Sequence, residues 1–218
     1  MIVLAIETSG NLGSIALATP EKIIYESKIN NNLTHSQTTM IMIEQAFKIS
    51  GISLAEVDVL ACSSGPGAFT GLRIGAAVAK GICFDTGLRI VPVSSLEALA
   101  YNAITYAGSV VPIMDAKRGQ AYTAAYKRGV CTIQPTVCEI DEILNIVEAD
   151  SLFVGDGVLV FESQIIDAGH LIAPPHLLLQ SAASIAAVAF KNLEKSVNPQ
   201  DFELTYIRQS QAERDLKC

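Results

Sequence analysis

The chain has 218 residues, of which 50% are hydrophobic and 17% are charged, and its formal net charge is −7. This composition is that of a folded protein with a sizeable core, and it gives no positive surface for nucleic acid, so we expect any RNA to be reached through a partner. Charged residues interrupt the longest apolar run, no basic region precedes an apolar segment at the N-terminus, and the five cysteines are scattered, so we expect a cytoplasmic protein with reduced thiols and no membrane contact.

The first half of the chain predicts strands that alternate with helices. In order, the predicted elements are strands at 2–8, 12–19 and 22–29, a helix at 34–50, a strand at 57–62, a helix ending near 84, a strand at 88–93 and a helix capped by Ser94 or Ser95. Thr34 or Ser36 can cap the first helix and Gly51 can end it. Strands that alternate with helices favour an α/β sheet.

The second half repeats this order in a shorter form. Its predicted elements are strands at 109–115, 120–127, 130–138 and 152–154, with helices at 141–148 and 181–194. We therefore predict two lobes, residues 1–105 and a reduced second lobe at 106–218, whose last helix can pack back on the first lobe. The tail from residue 203 is predicted to start extended and end charged.

Three turns carry residues that suit an anion. The turn after the first strand offers a carboxylate and two hydroxyls, which can hold a phosphate and its magnesium, although an ordinary polar turn uses the same residues. The Gly65-Pro66-Gly67 turn lies before a helix, whose first N–H groups are free to bind an anion. Two adjacent cations in a later turn can meet a carboxylate or phosphate, or remain solvated. The predicted nucleotide or anion site comprises Glu7, Thr8, Ser9, Gly65, Gly67, Lys117 and Arg118.

Two helices of the first lobe predict a contact with a partner. Gly71, Gly75 and Ala79 share one helix face, which either admits a neighbouring helix or packs closely inside the chain's own core. Residues 40–43 are four consecutive apolar residues, more than one helix face needs, so a second apolar contact is expected within the chain or with a partner. The predicted partner interface comprises Met40, Ile43, Phe47, Gly71, Ile74, Gly75, Val78 and Ala79.

The sequence predicts no catalytic residue and no metal site. The three histidines, His35, His170 and His176, lack metal-binding spacing, and no nucleophile–base motif is present. We interpret His35 as a polar surface residue and the other two as structural. Cys62 and Cys83 are predicted to be small core residues.

In these motifs the chain resembles the TsaB (YeaZ) family. The matching segments, in the family's order, are Leu4-Ala5-Ile6-Glu7-Thr8-Ser9, residues 64–75 (SGPGAFTGLRIG), Ala79-Lys80-Gly81, residues 93–99 (VSSLEAL), residues 115–119 (DAKRG) and Tyr206-Ile207-Arg208. One departure is Thr34-His35-Ser36-Gln37, where the family often has Arg-His-Ser-Glu, which puts charge pairing at that helix start in doubt.

The resemblance implies an α/β protein with the actin-like ATPase fold, the ASKHA fold of Hsp70 and sugar kinases. It implies a non-catalytic scaffold or activating subunit of the bacterial complex that adds a threonylcarbamoyl group to the adenosine next to the anticodon, in tRNAs reading codons that start with A. The implied partners are the catalytic subunit TsaD, bound through first-lobe helices, and the ATPase subunit TsaE in the same complex. A homodimer is implied when the chain is alone, with tRNA contacted only indirectly.

The resemblance also implies that TsaD's own chemistry is lost. Its two metal-binding histidines correspond to Ser95 and Leu99, and its Gly-Gly-His-Thr phosphate loop corresponds to residues 116–119. We therefore expect no resident cofactor, with weak ATP or ADP binding, alone or at a subunit interface, as an open alternative. The alternative function is an ATP-dependent phosphotransferase or a metalloprotease-like enzyme of the same fold.

Overall fold

The computed structural model describes residues 1–31 and 33–208, and two five-stranded sheets form its framework. The first sheet contains β1 (Val3–Glu7), β2 (Gly13–Ala18), β3 (Ile23–Ile29), β4 (Val59–Gly65) and β5 (Ile90–Ser94). Its spatial order is β3-β2-β1-β4-β5, with β1 antiparallel to β2 and parallel to β4. The three predicted opening strands are confirmed and pair as an antiparallel meander, and the predicted alternation of strands and helices is also confirmed.

Helices cover both faces of the first sheet because its strands are apolar on both faces. On one face lie α1 (His35–Ser50) and α2 (Phe69–Thr86), which pack against β1, β2, β4 and each other. On the other face lie α3 (Ser95–Tyr101) and α7 (Ala182–Lys191). Cys62 and Cys83 are buried in the core under α1 and α2, as predicted, whereas Cys218 lies outside the described residues.

The start of α1 is closed by a neutral contact between Thr34 and Gln37. The backbone N–H of Thr34 donates to Oε1 of Gln37 at 3.1 Å, and the Thr34 hydroxyl reaches the same oxygen at 2.9 Å. This reciprocal contact satisfies donors that a helix start leaves open. The helix ends as predicted at Gly51, whose positive φ of 72° lets its N–H reach the Phe47 carbonyl.

The second sheet has the same number of strands but shorter helices. It contains β6 (Ser109–Lys117), β7 (Gln120–Lys127), β8 (Val130–Glu139), β9 (Leu152–Val154) and β10 (Leu171–Ile172), in the order β10-β9-β6-β7-β8. Around it lie α4 (Ile140–Ile146), α5 (Val158–Asp167) and α6 (Pro175–Leu178). No element was predicted at α5, β10 or α6, since their apolar residues show no clean period.

The chain returns to the first lobe after the second sheet. Helix α7 packs against β1 and β2, so the last helix belongs to the first lobe by its contacts and to the second by its position in the sequence. Between the lobes, α3 contacts both α7 and β6. Within the described residues, no helix combines the length and apolar character needed to cross a membrane.

Candidate functional site

A cleft of about 470 Å³ lies between the lobes. The turn after β1 and the start of α2 form its first-lobe wall, through Ser9, Gly10 and Phe69. The end of β6, the turn that follows it and the turn before α5 form its second-lobe wall. The cleft is therefore built where strands end, which is the usual place for a ligand in an α/β fold.

Glu7 lies behind the cleft wall rather than in it. Its side chain is 1% exposed, and its Oε1 accepts the backbone N–H of Ser9 at 2.5 Å. Burial raises the pKa of this carboxyl to about 7, and the hydrogen bond from Ser9 only partly offsets that effect. Thr8 is also 1% exposed and packs towards Gly75. Neither residue lines the cleft, so the structure places both of them behind its wall.

The Gly65-Pro66-Gly67 turn is filled by the chain itself. The N–H of Ala68, at the start of α2, donates to the Ser9 carbonyl at 2.7 Å, and a Cβ on Gly67 would overlap that same carbonyl. A Cβ on Gly65 would overlap the Thr205 carbonyl, so Gly65 faces the C-terminal segment and not the cleft. The first N–H group that the sequence offered to an anion is thus used internally.

Lys117 and Arg118 do line the cleft. Lys117 is paired, since its Nζ lies 2.6 Å from Oδ2 of Asp115 and its backbone N–H donates to Oδ1 at 2.8 Å. Arg118 and Gly119 form the tip of the β6–β7 hairpin with φ values of 59° and 75°. Among the described contacts, the exposed Arg118 has no partner. Of the seven residues predicted for the anion site, Ser9, Gly67, Lys117 and Arg118 meet at the cleft.

Sequence reasoning missed Asp156 and Gln180. Asp156 lines the cleft in the Gly-Asp-Gly turn after β9, a turn signal that could have pointed to it. Burial raises the pKa of Asp156, and its Oδ1 has no hydrogen-bond partner within the described structure. Gln180 is 2% exposed, and its side-chain amide interacts with the Asp156 carboxyl, which partly offsets the effect of burial on the pKa of Asp156. Buried polar side chains of this kind are uncommon in a protein interior unless they are partnered.

The segment 203–208 joins the two lobes beside the cleft. The N–H of Thr205 donates to the Ser64 carbonyl at 2.7 Å, and the Tyr206 ring stacks on Phe69 with centroids 4.7 Å apart. The Tyr206 hydroxyl accepts from Nε of Arg73 at 3.2 Å. On the second lobe, Nη1 of Arg208 donates to the Ala116 carbonyl at 3.1 Å. Residues 206–208 therefore contact both lobes and connect them beside the cleft.

Replacing Tyr206 by alanine is expected to lower the free energy of unfolding by about 1–2 kcal/mol, because the stacked ring and its buried area are lost. Urea unfolding followed by circular dichroism measures this. Tyr206→Phe keeps the stack on Phe69 and the Arg73 guanidinium over the ring and loses only the hydrogen bond from Arg73 to the hydroxyl, so it should cost less than half as much. Equal losses for the two variants would show that the stacking contributes nothing.

The predicted partner interface divides into two sets. Gly71, Gly75, Ala79 and Ile43 are buried in the chain's own core, and a Cβ on Gly71 would overlap the Thr8 carbonyl. Thr8, in the turn after β1, occupies the space beside Gly71 and Gly75. Met40 is 53% exposed, and Phe47, Ile74 and Val78 are half-buried, so these four remain accessible.

His35 is not the surface residue that the sequence suggested. Its ring is half-buried, and Nε2 lies 2.8 Å from the Gly10 carbonyl. His170 is buried, with its ring 5.3 Å from Phe153, whereas His176 is exposed. Within the described part of the chain, no group of three or more His, Cys, Asp or Glu side chains could hold a metal ion.

This architecture defines the class of protein: two lobes with an interlobe cleft in the actin-like ATPase fold. The activator of 2-hydroxyisocaproyl-CoA dehydratase from Clostridium difficile, solved with bound ADPNP, has the same fold. Its TM-score is 0.54 at 9% identity, covering 96% of this chain and 100% of that chain. YeaZ from Pseudomonas aeruginosa is more similar, with a TM-score of 0.79 at 24% identity, covering 94% and 99% of the two chains.

Sequence comparison then gives the family. Residues 27–212 match the family described as "TsaD: tRNA N6-adenosine threonylcarbamoyltransferase". The TsaB protein of Haemophilus influenzae is 31% identical over 72% of either chain, and that of Escherichia coli is 26% identical over 99% of this chain and 98% of its own. The chain belongs to the TsaB (YeaZ) family of tRNA threonylcarbamoyladenosine biosynthesis proteins.

Proposed function

We propose that this chain is the non-catalytic activating subunit of a tRNA threonylcarbamoyladenosine synthesis complex and acts by pairing with TsaD through α1 and α2. The observation that supports this most directly is an apolar surface left open on these two helices. The net charge of −7 works against binding of tRNA by this chain alone, so the tRNA would be held mainly by other subunits. TsaE would join through the same complex.

The docking surface comprises Met40 and Phe47 on α1 with Ile74 and Val78 on α2. The two helices pack side by side on one face of the first sheet, and Phe47 and Val78 pack against the same core cluster beneath them. Next to Val78, Gly81 is exposed and has no atom within 4 Å of the position a Cβ would take. A partner helix can approach closely at such a point. Without TsaD, a second copy of the chain would use the same surface.

The absence of catalysis is supported at the positions that correspond to TsaD's metal ligands. Ser95 is fully buried and Leu99 is 1% exposed in α3, so neither offers a ligand to a metal ion in the cleft. Glu7 is sealed behind the cleft wall and cannot hold magnesium from within it. Weak ATP or ADP binding would therefore rest on the cleft-lining cations Lys117 and Arg118.

The test is to place a charge on the docking surface. Met40→Glu keeps a good helix former at an exposed position, so folding should be unaffected while affinity for TsaD falls about 30-fold. Isothermal titration of the purified chain with TsaD measures the dissociation constant. Ile166→Glu on α5 is the matched control, because Ile166 is 55% exposed against 53% for Met40 but lies on the second lobe.

The same proteins then decide between a subunit and an enzyme. We expect reconstituted tRNA modification by TsaD and TsaE to require this chain and to fall in parallel with affinity for Met40→Glu. Unchanged affinity of the correctly folded Met40→Glu protein would contradict docking through this surface. Turnover of ATP by the chain alone would favour the phosphotransferase alternative.

A further inference from the structure

We infer that His35 is a positioning residue that fixes the cleft turn, residues 9–11, to the start of α1. Binding of a partner to α1 then also stabilises the cleft turn. The inference rests on the proposed function only for the identity of the docking partner. The geometry behind it lies entirely within the chain.

The imidazole of His35 occupies a slot built by three glycines. Its Nε2 lies 2.8 Å from the carbonyl oxygen of Gly10. A Cβ on Gly13 would stand 3.1 Å from its Nδ1, and a Cβ on Gly71 would stand 3.0 Å from its Cδ2. One ring from α1 thus touches the cleft turn, the start of β2 and the first turn of α2.

The polarity of this contact is fixed. A carbonyl oxygen can only accept, so Nε2 must carry a proton and donate it to Gly10. Glutamine can place an amide N–H near the position of Nε2, whereas leucine fills the slot without a donor. The pair of substitutions therefore separates the hydrogen bond from the packing.

On the side away from His35, Gly10 lies against Gln180, which interacts with Asp156 of the second lobe. A Cβ on Gly10 would stand 2.6 Å from Nε2 of Gln180, so the glycine backbone lies between His35 and this buried amide. The Gln180 side chain in turn interacts with the carboxyl of Asp156 on the opposite cleft wall and lowers its pKa, against the larger effect of burial. The backbone of the cleft turn at Gly10 therefore lies between the His35 ring of α1 on one side and the buried Gln180 side chain on the other.

Two other contacts hold the cleft turn at Ser9, whose carbonyl accepts the N–H of Ala68 at 2.7 Å and whose N–H donates to Glu7, while His35 holds it at Gly10. Asn11 is exposed, and Ser9 and Gly10 line the cleft directly. Since α1 carries Met40 and Phe47 of the proposed docking surface, a partner that stabilises α1 also stabilises its first residue, His35. The hydrogen bond to Gly10 passes that stabilisation to the cleft.

The test compares full-length His35→Leu and His35→Gln by hydrogen–deuterium exchange, with His176→Leu, at an exposed histidine, as the matched control. We expect the amides of residues 9–13 to exchange about fivefold faster in His35→Leu, from the loss of one hydrogen bond, and within about twofold of wild type in His35→Gln. Peptides from β7 and α7 should not change in either variant. Wild-type rates in both variants, or equal acceleration in both, would overturn the role of the donor.

A second measurement adds TsaD to the wild-type chain and to His35→Leu. We expect TsaD to slow exchange at residues 33–43 and at 9–13 in the wild type, and only at 33–43 in His35→Leu. Slower exchange at 33–43 alone in the wild type would overturn the coupling and leave the proposed function standing. No effect of TsaD on residues 33–43 would contradict the proposed docking, while the comparison of the two variants would still decide the role of His35.

Discussion

Replacing Gly71 by alanine is expected to lower the free energy of unfolding by about 2–3 kcal/mol. The new methyl group would overlap the carbonyl oxygen of Thr8, which is backbone and cannot rotate away. Thr8 is also held in place, because its own N–H points to the Ser63 hydroxyl and the next N–H is bound by Glu7. Either α2 or the turn after β1 would have to shift.

Gly81→Ala is the matched control on the same helix. Gly81 is exposed with no atom within 4 Å of a Cβ, so alanine there should stabilise the chain by about 0.5–1 kcal/mol through helix propensity. Urea unfolding of both variants measures the difference. If Gly71→Ala unfolds within 0.5 kcal/mol of wild type, on the scale of a neutral surface change, the close approach of α2 to Thr8 is refuted.

The same overlap rules out large residues at Gly75 as a probe of docking. A Cβ there would overlap the Thr8 hydroxyl, so an arginine would disturb the core before it reached any partner. A charged residue at position 40 does not disturb the core, because the Met40 side chain is exposed.

Glu7→Gln is expected to remove a pH dependence of stability that spans about 3 kcal/mol between pH 4.5 and pH 7. Burial raises the pKa of Glu7 from 4.5 to about 7, so the folded chain keeps a proton that the unfolded chain releases in this range. The stability from this group is therefore fully present below pH 4.5 and is lost as the pH rises through about 7. Glutamine mimics the protonated form and should leave the variant more stable than wild type at pH 8.

Denaturant midpoints of wild type and Glu7→Gln at several pH values measure this effect. The comparison must be a difference, since burial also raises the pKa of Asp156, which adds a dependence of the same sign to both proteins. Glu56→Gln serves as the control, because hydrogen bonds from Ser53 lower the pKa of the exposed Glu56 and place its effect below pH 4.5. Parallel pH profiles for wild type and Glu7→Gln would mean that Glu7 is not buried as described.

Most helices and strands could be predicted from the sequence because their signals, such as helix caps and short apolar runs, lie within a few residues of the element itself. The start of α1 at Thr34 and its end at Gly51 follow from cap chemistry, and the strand Leu152–Val154 follows from a short apolar run before a turn. Helix α5 was missed, since its outward residues Leu159, Val160 and Ile166 are apolar and hide the helical period.

The candidate site was harder to predict because its residues come from distant parts of the chain. The Gly-rich motif and the cations of the β6–β7 turn were found as sequence patterns. Gln180 carries no pattern of its own and becomes relevant only because α7 returns to the first sheet. His35 was read as a surface residue, since nothing near it in the sequence reveals that three glycines leave a slot for its ring.

The sequence by itself determined the family, the alternation of strands and helices, and the presence of small residues along α2, since each depends on residue types and local spacing. Only the tertiary structure decided which part of the chain packs against these small residues. Gly71 and Gly75 receive the turn after β1, and Gly67 receives the Ser9 carbonyl, because the sheet order brings β1 beside β4 and places the first hairpin under the start of α2. A helix face can be read from spacing, but what lies against it depends on how the strands are ordered in the sheet.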